Sequence, residues 1–177
     1  ERLEPVEDMD SFNQWVDKRI LEKLQESKPD VIGIGGIITQ YSRIQNILNM
    51  CREHYPETFR IMGGGIASCL PSFMMKMLNV DAIVTEEGEA TFSEVLHRLE
   101  VGKNLNGVKG TWFKNEEGVT VSNGKRASIL PGEKGLDCLP WPARFLYDIK
   151  EVYKLNPVGH LNWVSKWEGG KPQEKGK

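Results

Sequence analysis

Residues 29–42 read "PDVIGIGGIITQYS", a short apolar run that ends on a pair of glycines. Pro29 and Asp30 break the preceding structure, and the "VIGIG" that follows has the length and composition of a strand covered on both faces. Gly35 and Gly36 end the strand, and glycine permits a positive φ angle or a close approach of another group to the backbone. The stretch therefore predicts a buried strand followed by a loop in which space near the backbone matters.

Helical periodicity flanks this strand on both sides. The pair Ser11 and Gln14 forms a capping-box pattern before the first helix, and the pair Ser42 and Gln45 repeats it before the second. The apolar positions of the two helices are Phe12, Val16, Ile20 and Leu24, and then Ile44, Ile47, Leu48 and Cys51. This spacing places each set on one helical face, so the strand is predicted to lie between two amphipathic helices.

The strand-loop-helix pattern recurs twice further along the chain. "FRIM" leads into Gly63, Gly64 and Gly65 and a helix from about Pro71, and "DAIVT" leads into "EEGE". The helix after "EEGE" carries the apolar residues Phe92, Val95, Leu96 and Leu99. Three such units predict a parallel sheet with right-handed crossovers.

The pattern of apolar and turn-forming residues changes after about residue 110. "TWFKNEEGVTVSNGKRASIL" alternates around the turn-forming "NEEG" and "NG", which predicts a small antiparallel hairpin added to the sheet. "LDCLPWPARFLYD" has prolines and aromatic residues without clean periodicity and is interpreted as an ordered linker on the domain surface. The chain opens on Glu1 and closes on "EGGKPQEKGK", so we expect a fragment of a longer protein.

Composition excludes several classes of partner. Lys and Arg total 23 against 25 Asp and Glu, a formal charge of -2, so no net field favours nucleic acid. No apolar run is long enough for a membrane span. The three cysteines, Cys51, Cys69 and Cys138, are widely spaced and form no C-x-x-C pair, which favours a reducing compartment and predicts a cytoplasmic protein.

Three loops are expected to meet at one edge of the sheet. In open parallel sheets the ligand crevice lies beyond the carboxyl ends of the strands. The loops there are Gly35-Gly36, Gly63-Gly64-Gly65 and Glu86-Glu87-Gly88-Glu89. Glycines at such an edge allow a large flat ligand or a ligand tail to approach the backbone, or they serve tight turns and helix packing. Glu87 and Glu89 either bind ligand amides and hydroxyls or place negative charge at the start of a helix.

Other chemistry has little support in these residues. The loops match neither the phosphate-binding P-loop nor the dinucleotide-binding glycine pattern. His54, His97 and His160 stand in no nucleophile arrangement, and Cys51 is interpreted as a core residue on its helix. No catalytic or metal-ligating residue is predicted, and Trp141, Trp163 and Trp167 are interpreted as docking against a neighbouring domain.

The order of these segments resembles a known family. It is similar to the cobalamin-binding domain that precedes the radical S-adenosylmethionine barrel in B12-dependent radical enzymes, such as radical methyltransferases and anaerobic Mg-protoporphyrin monomethyl ester cyclases. The similarity covers roughly residues 28–148. The segments that carry it are "PDVIGIGGIITQYSRIQNIL", "FRIMGGGIAS", "VDAIVTEEGEATFSEVLHRLEVG", "VKGTWFK" and "LDCLPWPARFL".

The fuller family signature is D-x-H-x-x-G, then S-x-L, then G-G. Here Gly35-Gly36-Ile37 occupies the S-x-L place, and 26 residues separate Ile37 from the pair Gly64-Gly65. Gly35 replaces the serine whose hydroxyl would contact the cobalamin nucleotide tail. None of the three histidines lies in a D-x-H-x-x-G context, so the sequence contains no candidate for the lower cobalt ligand.

The resemblance implies a complete set of expectations. The fold would be a flavodoxin-like (Rossmann-like) three-layer α/β sandwich, with a mainly parallel sheet and a small antiparallel hairpin. Residues 1–130 would form the cobalamin-binding domain, whose first strand the family places upstream of Glu1, and residues 131–177 a linker and tail leading to the radical barrel. Cobalamin would contact Gly35, Gly36, Ile37, Tyr41, Gly63, Gly64, Gly65, Glu87, Gly88 and Glu89. Tyr41 either packs against the tail or serves helix entry.

The resemblance also bears on the parent protein. The [4Fe-4S] cluster and S-adenosylmethionine would belong to the barrel, because the C-x-x-x-C-x-x-C motif does not occur in this sequence. The parent would carry out methyl transfer to an unactivated carbon, or a related rearrangement or cyclisation. Two alternatives remain: a cofactor-free regulatory or interaction module with the same fold, and a small flavodoxin-like enzyme that binds another nucleotide.

Overall fold

The computed structural model describes residues 8–129, 138–146, 167–168 and 171–172. The chain divides into two compact units, Glu1–Gly135 and Leu136–Lys177. In the second unit, a 3-10 turn spans Arg144–Leu146, and strands β6 (Trp167–Glu168) and β7 (Lys171–Pro172) pair antiparallel. Trp163 and the segment 130–137 lie outside the described residues.

The first unit contains a five-stranded sheet. Its strands are β1 (Val31–Gly35), β2 (Phe59–Gly63), β3 (Ala82–Val84), β4 (Thr111–Lys114) and β5 (Thr120–Ser122). They lie in chain order, with β1, β2 and β3 parallel and β4 and β5 added antiparallel. The predicted α/β fold, with parallel strands and a terminal antiparallel hairpin, is confirmed.

One helix precedes β1, and helices follow each of the three parallel strands. They are α1 (Met9–Ser27), α2 (Tyr41–His54), α3 (Gly65–Cys69), α4 (Pro71–Met77) and α5 (Gly88–Glu100), and a 3-10 turn spans Ile38–Gln40. Among the described residues, no helix combines the length and apolar character that crossing a bilayer requires.

Two predicted helix starts are wrong. The N-cap of α1 is Asp8, whose Oδ1 accepts a hydrogen bond from the Ser11 backbone at 2.7 Å, so Ser11 is already inside the helix. Helix α2 begins at Tyr41, directly after the 3-10 turn, so Ser42 is not its cap. The short helix α3 was not predicted at all, because five residues are too few to show a helical period.

The sheet has a core on each face. On one face α2, α3 and α4 bury a cluster that includes Leu48, Met62, Met74 and Ile83. On the other face α5 contributes Val95 to a cluster with residues of β2, β3 and β4. Cys51 is fully buried in α2, which confirms its interpretation as a core residue.

Strand β1 departs from the prediction that it is covered on both faces. It lies at one end of the described sheet, and Gly33 and Gly35 are exposed on the face that α5 shares. The physical reason is that α5 packs over β3 and leaves this part of β1 uncovered. The glycines of β1 therefore border open space rather than a packed helix.

An ion pair between a buried arginine and a partly exposed aspartate ties β2 to the residue before β3. The Arg60 side chain is 2% exposed, and its Nη2 donates to Oδ2 of Asp81 at 2.8 Å. The same Asp81 oxygen accepts the Arg60 backbone N–H at 2.7 Å, and Arg60 Nη1 donates to the Tyr55 carbonyl at 3.3 Å. These bonds fix the amino ends of the two strands, at the edge opposite the glycine-rich loops.

Candidate functional site

A cavity of about 470 Å³ opens at the carboxyl ends of β1, β2 and β3, on the face that α5 shares. Backbone from Gly33, Gly35, Gly63 and Gly64 lines it on the sheet side. Val84, Glu86, Gly88, Glu89 and Phe92 line it on the side of β3 and α5. The cavity lies where the crevice of an open parallel sheet is expected.

The floor of the cavity includes two glycines, Gly33 and Gly35, at positions whose backbone angles would also allow residues with side chains. Gly33 and Gly35 have ordinary φ angles, and their register partners in β2 are Ile61 and Gly63. A Cβ atom added to Gly33 would meet no other atom within 4 Å outside its chain neighbours, and one on Gly35 would lie 3.5 Å from the Gly63 carbonyl oxygen. These glycines keep the floor low, so a ligand can lie directly on the strands.

Gly36 has a different role. A Cβ atom there would lie 2.7 Å from Oε1 of Gln40 and 2.8 Å from Cδ1 of Ile44. The same Gln40 oxygen accepts a hydrogen bond from the Ile37 backbone at 3.1 Å. Gly36 is therefore needed because the start of α2 packs closely on the first loop.

The first and second loops touch through their backbones. Gly64 has a φ angle of +86°, which side chains rarely adopt, and a Cβ atom on it would lie 3.6 Å from the Gly36 nitrogen. Gly65 is the first residue of α3, and the space around its Cβ position is open. The predicted meeting of these two glycine loops is present in the structure.

The third loop is tied to both of its neighbours. Glu86 has a φ angle of +60°, and its backbone N–H donates to Ser68 Oγ at 2.8 Å, beyond the second loop. Its carboxylate pairs with Lys125 at 2.9 Å. The Glu87 carboxylate accepts a hydrogen bond from the Ile129 backbone, whereas Glu89 stands in the first turn of α5 and lines the cavity.

Tyr41 lies on the opposite face of the sheet. It packs against the core cluster of α2 and α4, and its ring centroid is 6.5 Å from that of Phe73. Its hydroxyl accepts a hydrogen bond from Gln45 at 3.4 Å. These contacts favour the helix-entry role over packing against a ligand tail.

The described histidines lie away from the cavity. His54 ends α2 and His97 lies in the last turn of α5, both toward the amino edge of the sheet. His160 falls outside the described residues. Within the part of the chain that the structure covers, no group of three or more His, Cys, Asp or Glu side chains could hold a metal ion.

The structure brings together half of the predicted site residues. Gly35, Gly63, Gly64, Gly88 and Glu89 line the cavity, whereas Gly36, Ile37, Tyr41, Gly65 and Glu87 do not. Sequence reasoning missed Gly33 and Phe92, and it placed Glu86 in the third loop without counting it among the contact residues. The signal for Gly33 was its spacing of two from Gly35, which puts both on one face of a strand. Phe92 follows Gly88 by four residues and so lies on the same side of α5.

Comparisons with known proteins agree with this architecture. The chain is 25% identical to cytidylyl-2-hydroxyethylphosphonate methyltransferase of Streptomyces wedmorensis, over 86% of this chain and 32% of that protein. This chain thus spans about a third of the relative's length.

Two solved structures share the fold. One is the radical S-adenosylmethionine methyltransferase TsrM from Kitasatospora setae with cobalamin and a [4Fe-4S] cluster bound, with a TM-score of 0.57 and 18% identity over 71% of this chain and 24% of that one. The other is the cobalamin-dependent S-adenosylmethionine radical enzyme OxsB with aqua-cobalamin and S-adenosylmethionine bound, with a TM-score of 0.55 and 24% identity over 64% and 16% of the two chains.

A family model also matches directly. It is described as "B12 binding domain" and covers residues 5–96, more than half of the 177 residues. The matched range includes β1, β2, β3 and most of α5, which are the elements that form the cavity. The chain belongs to the B12-binding domain family, and cobalamin is its cofactor.

Proposed function

We propose that the cavity above Gly33, Gly35 and Gly63 receives the nucleotide tail of cobalamin. The corrin ring lies over the three loops at the carboxyl edge of the sheet, residues 35–36, 63–65 and 86–89, here named the first, second and third rim loops. The observation that carries this proposal is the glycine floor, where an added Cβ on Gly33 would project into open space. The cavity lies within the range that matches the B12-binding family model. The tail is the long, narrow part of cobalamin, and a cleft between a sheet and a helix suits it.

The residues around the cavity fit such a tail. Phe92 is 38% exposed on α5 and offers an aromatic surface to a flat base, and Val84 adds an apolar wall. Glu86 and Glu89 place carboxylates at the cavity, where they can accept hydrogen bonds from hydroxyl or amide groups. The site therefore combines an apolar slot with a few polar acceptors, as small-molecule sites generally do.

Gly35 changes how the tail would be held. It stands where the family signature has a serine, so this chain has no hydroxyl there to contact the nucleotide. The backbone of Gly35 lies beside Gly63, with room for a ligand above both. We propose that shape and backbone contacts replace the missing hydroxyl bond.

Cobalamin supplies a cobalt centre that can carry a methyl group. The chain's own residues bind the tail, orient the corrin and exclude water from the buried part of the ligand. His54 and His97 lie toward the opposite edge of the sheet, so neither is assigned as a cobalt ligand.

The parent protein is proposed to be a radical S-adenosylmethionine methyltransferase, with cyclisation or rearrangement as the alternative reaction. Support comes from the relative in Streptomyces wedmorensis, which is named as a methyltransferase and of which this chain matches 32%. Residues 1–130 would then be the cobalamin domain, and residues 131–177 would lead to a barrel that carries the [4Fe-4S] cluster and S-adenosylmethionine. The widely spaced cysteines support a cytoplasmic location. The family match does not favour a cofactor-free module.

A titration with two corrinoids tests the proposal. Hydroxocobalamin carries the nucleotide tail and cobinamide lacks it, so their visible spectra can be followed separately as protein is added. We expect hydroxocobalamin to bind and cobinamide to bind at least about tenfold more weakly, because only the former fills the cavity. Equal affinities would show that the tail is not in the cavity. If folded protein, checked by circular dichroism, binds neither corrinoid, the cofactor assignment fails for this chain.

A further inference from the structure

The segment after β5 turns back onto the cofactor site. Residues 123–129, here named the strap, follow β5 and run beside the third rim loop and α5. We propose that the strap belongs to the cobalamin site, an inference that rests on the function proposed above. The strap holds the third rim loop in the conformation that binds the nucleotide tail. Arg126 is its main positioning residue.

Arg126 makes the most extensive contacts of the strap. Its Nε donates to Thr91 Oγ1 at 2.8 Å and to the Lys109 carbonyl at 3.2 Å. Its Nη2 forms an ion pair with Glu94. One half-buried guanidinium thus joins two turns of α5 to the segment before β4. A planar fork of donors is required for this, which a lysine does not have.

Two further contacts reach the rim loop itself. Lys125 pairs with the Glu86 carboxylate at 2.9 Å, and the Ile129 backbone donates to the Glu87 carboxylate. Glu86 also lines the cavity, so the strap and the ligand space share this residue. Glu87, predicted from sequence to contact the cofactor, is assigned instead as the residue that fastens the strap.

The backbone continues the connection to β3. Gly110 donates to the Gly124 carbonyl at 2.8 Å, and its own carbonyl accepts the Thr85 N–H at 2.9 Å. Gly110 has a φ angle of +83°, and a Cβ atom on it would lie 2.7 Å from Thr91 Oγ1. The strap is therefore joined through Gly110 to Thr85, which precedes the rim loop, and through Arg126 to Thr91, which follows it.

The rim loop needs such support because its conformation is strained. Glu86 has a φ angle of +60°, which an ordinary side chain adopts only when its surroundings enforce it. Loosening the strap would let Glu86 relax and change the cavity wall. By thermodynamic linkage, a ligand that binds better to this conformation of the rim loop must also stabilise the contacts between the strap and the loop.

Titration of Arg126→Gln with hydroxocobalamin tests this coupling. We expect affinity to fall about tenfold, since a charged hydrogen-bond network is lost. Arg98→Gln is the matched control: Arg98 also pairs with Glu94, at 3.8 Å, but from within α5, and its affinity should stay within about twofold of wild type. Arg126→Lys should restore part of the affinity, because it keeps the charge without the fork.

A second measurement follows the strap directly. Amide hydrogen exchange of residues 123–129 should quicken in apo Arg126→Gln and slow in the wild type when hydroxocobalamin is added. Lys125→Gln, a change at an exposed side chain that leaves the fold intact, should shift exchange in the same direction by less.

The outcomes separate the two proposals. If the wild type binds hydroxocobalamin and both the affinity and the strap exchange of Arg126→Gln match it, the strap proposal is overturned and the cofactor site stands. If the folded wild type does not bind, the cofactor site is overturned and the coupling with it.

Discussion

Gly36 and Ile44 pack so closely that a Cβ atom added to Gly36 would lie 2.8 Å from Cδ1 of Ile44. Ile44 is 4% exposed, so it cannot move away into solvent. The glycine pair at the end of β1 thus has two separate roles. Gly36 admits the first turn of α2, and Gly35 keeps the cavity floor open.

Alanine substitutions at the two glycines should separate these roles. Gly36→Ala should lower the free energy of unfolding by about 1–2 kcal/mol, since Ile44 and Gln40 must shift in a packed region. Gly35→Ala should leave stability within about 0.5 kcal/mol of wild type, because its Cβ would make an ordinary 3.5 Å contact. Urea unfolding followed by circular dichroism measures both. Equal losses would contradict the assignment.

Filling the cavity floor should weaken cobalamin without harming the fold. Gly33→Val adds a β-branched side chain in open space on a strand, so stability should not fall. Hydroxocobalamin affinity should drop at least about tenfold, because the side chain occupies the tail's position. Titration by visible absorption measures the change.

Val31→Ile is the matched control for that substitution. Val31 lies on the same face of β1, two residues farther from the rim, and is not among the residues that line the cavity. Its affinity should stay within about twofold of wild type. A Gly33→Val protein that binds as tightly as this control would show that the tail lies elsewhere.

Removing the partner of the buried Arg60 should be severe. In Asp81→Ala, Arg60 loses its 2.8 Å ion pair and its backbone loses a 2.7 Å bond. We expect the free energy of unfolding to fall by about 3 kcal/mol, because the buried Arg60 charge is left without its carboxylate partner. Glu57→Ala, at an exposed position in the loop before β2, should change it by less than about 0.5 kcal/mol. A loss below about 1 kcal/mol in Asp81→Ala would mean that Arg60 finds other acceptors.

The Cys51 thiol should make stability fall in alkali. Burial raises the pKa of Cys51 above its ordinary value of 9.0, although Arg60 acts in the opposite direction. As pH rises past 9.0, the unfolded chain loses the thiol proton before the folded one does, so unfolding becomes easier. The loss in unfolding free energy between about pH 8 and about pH 10 should be larger in wild type than in Cys51→Ala. Equal losses in the two proteins would rule this out.

The order of the strands and helices could be predicted from the sequence because the parallel strands are short apolar runs bounded by residues that break regular structure. Strand β1 is "VIGIG", β2 begins with "FRIM" and β3 lies within "DAIVT", and the helices after the first and third carry clear apolar stripes. The first residues of the helices were harder to predict from the sequence. Asp8 caps α1 and Tyr41 begins α2 through local geometry that competing Ser-x-x-Gln patterns obscured.

The site was predicted less completely than the fold. Counting glycines at strand ends located the rim, but it could not distinguish Gly36, which serves packing, from Gly35, which borders open space. That distinction depends on where Ile44 and Gln40 project, which is a tertiary property. The contact of Glu87 with the Ile129 backbone joins positions 42 residues apart in sequence, so no local pattern could reveal it. Sequence reasoning therefore placed Glu87 among the ligand-binding residues.

The most direct test is to observe the floor glycines while cobalamin binds. In a spectrum of ¹⁵N-labelled protein, glycine amides fall in a separate region, and adding hydroxocobalamin should shift the amides of Gly33, Gly35 and Gly63. Gly102, Gly107 and Gly118, at positive-φ positions that do not line the cavity, should stay in place. Shifts confined to the first set are the predicted result. Cobalamin binding that leaves Gly33, Gly35 and Gly63 unmoved would contradict the account.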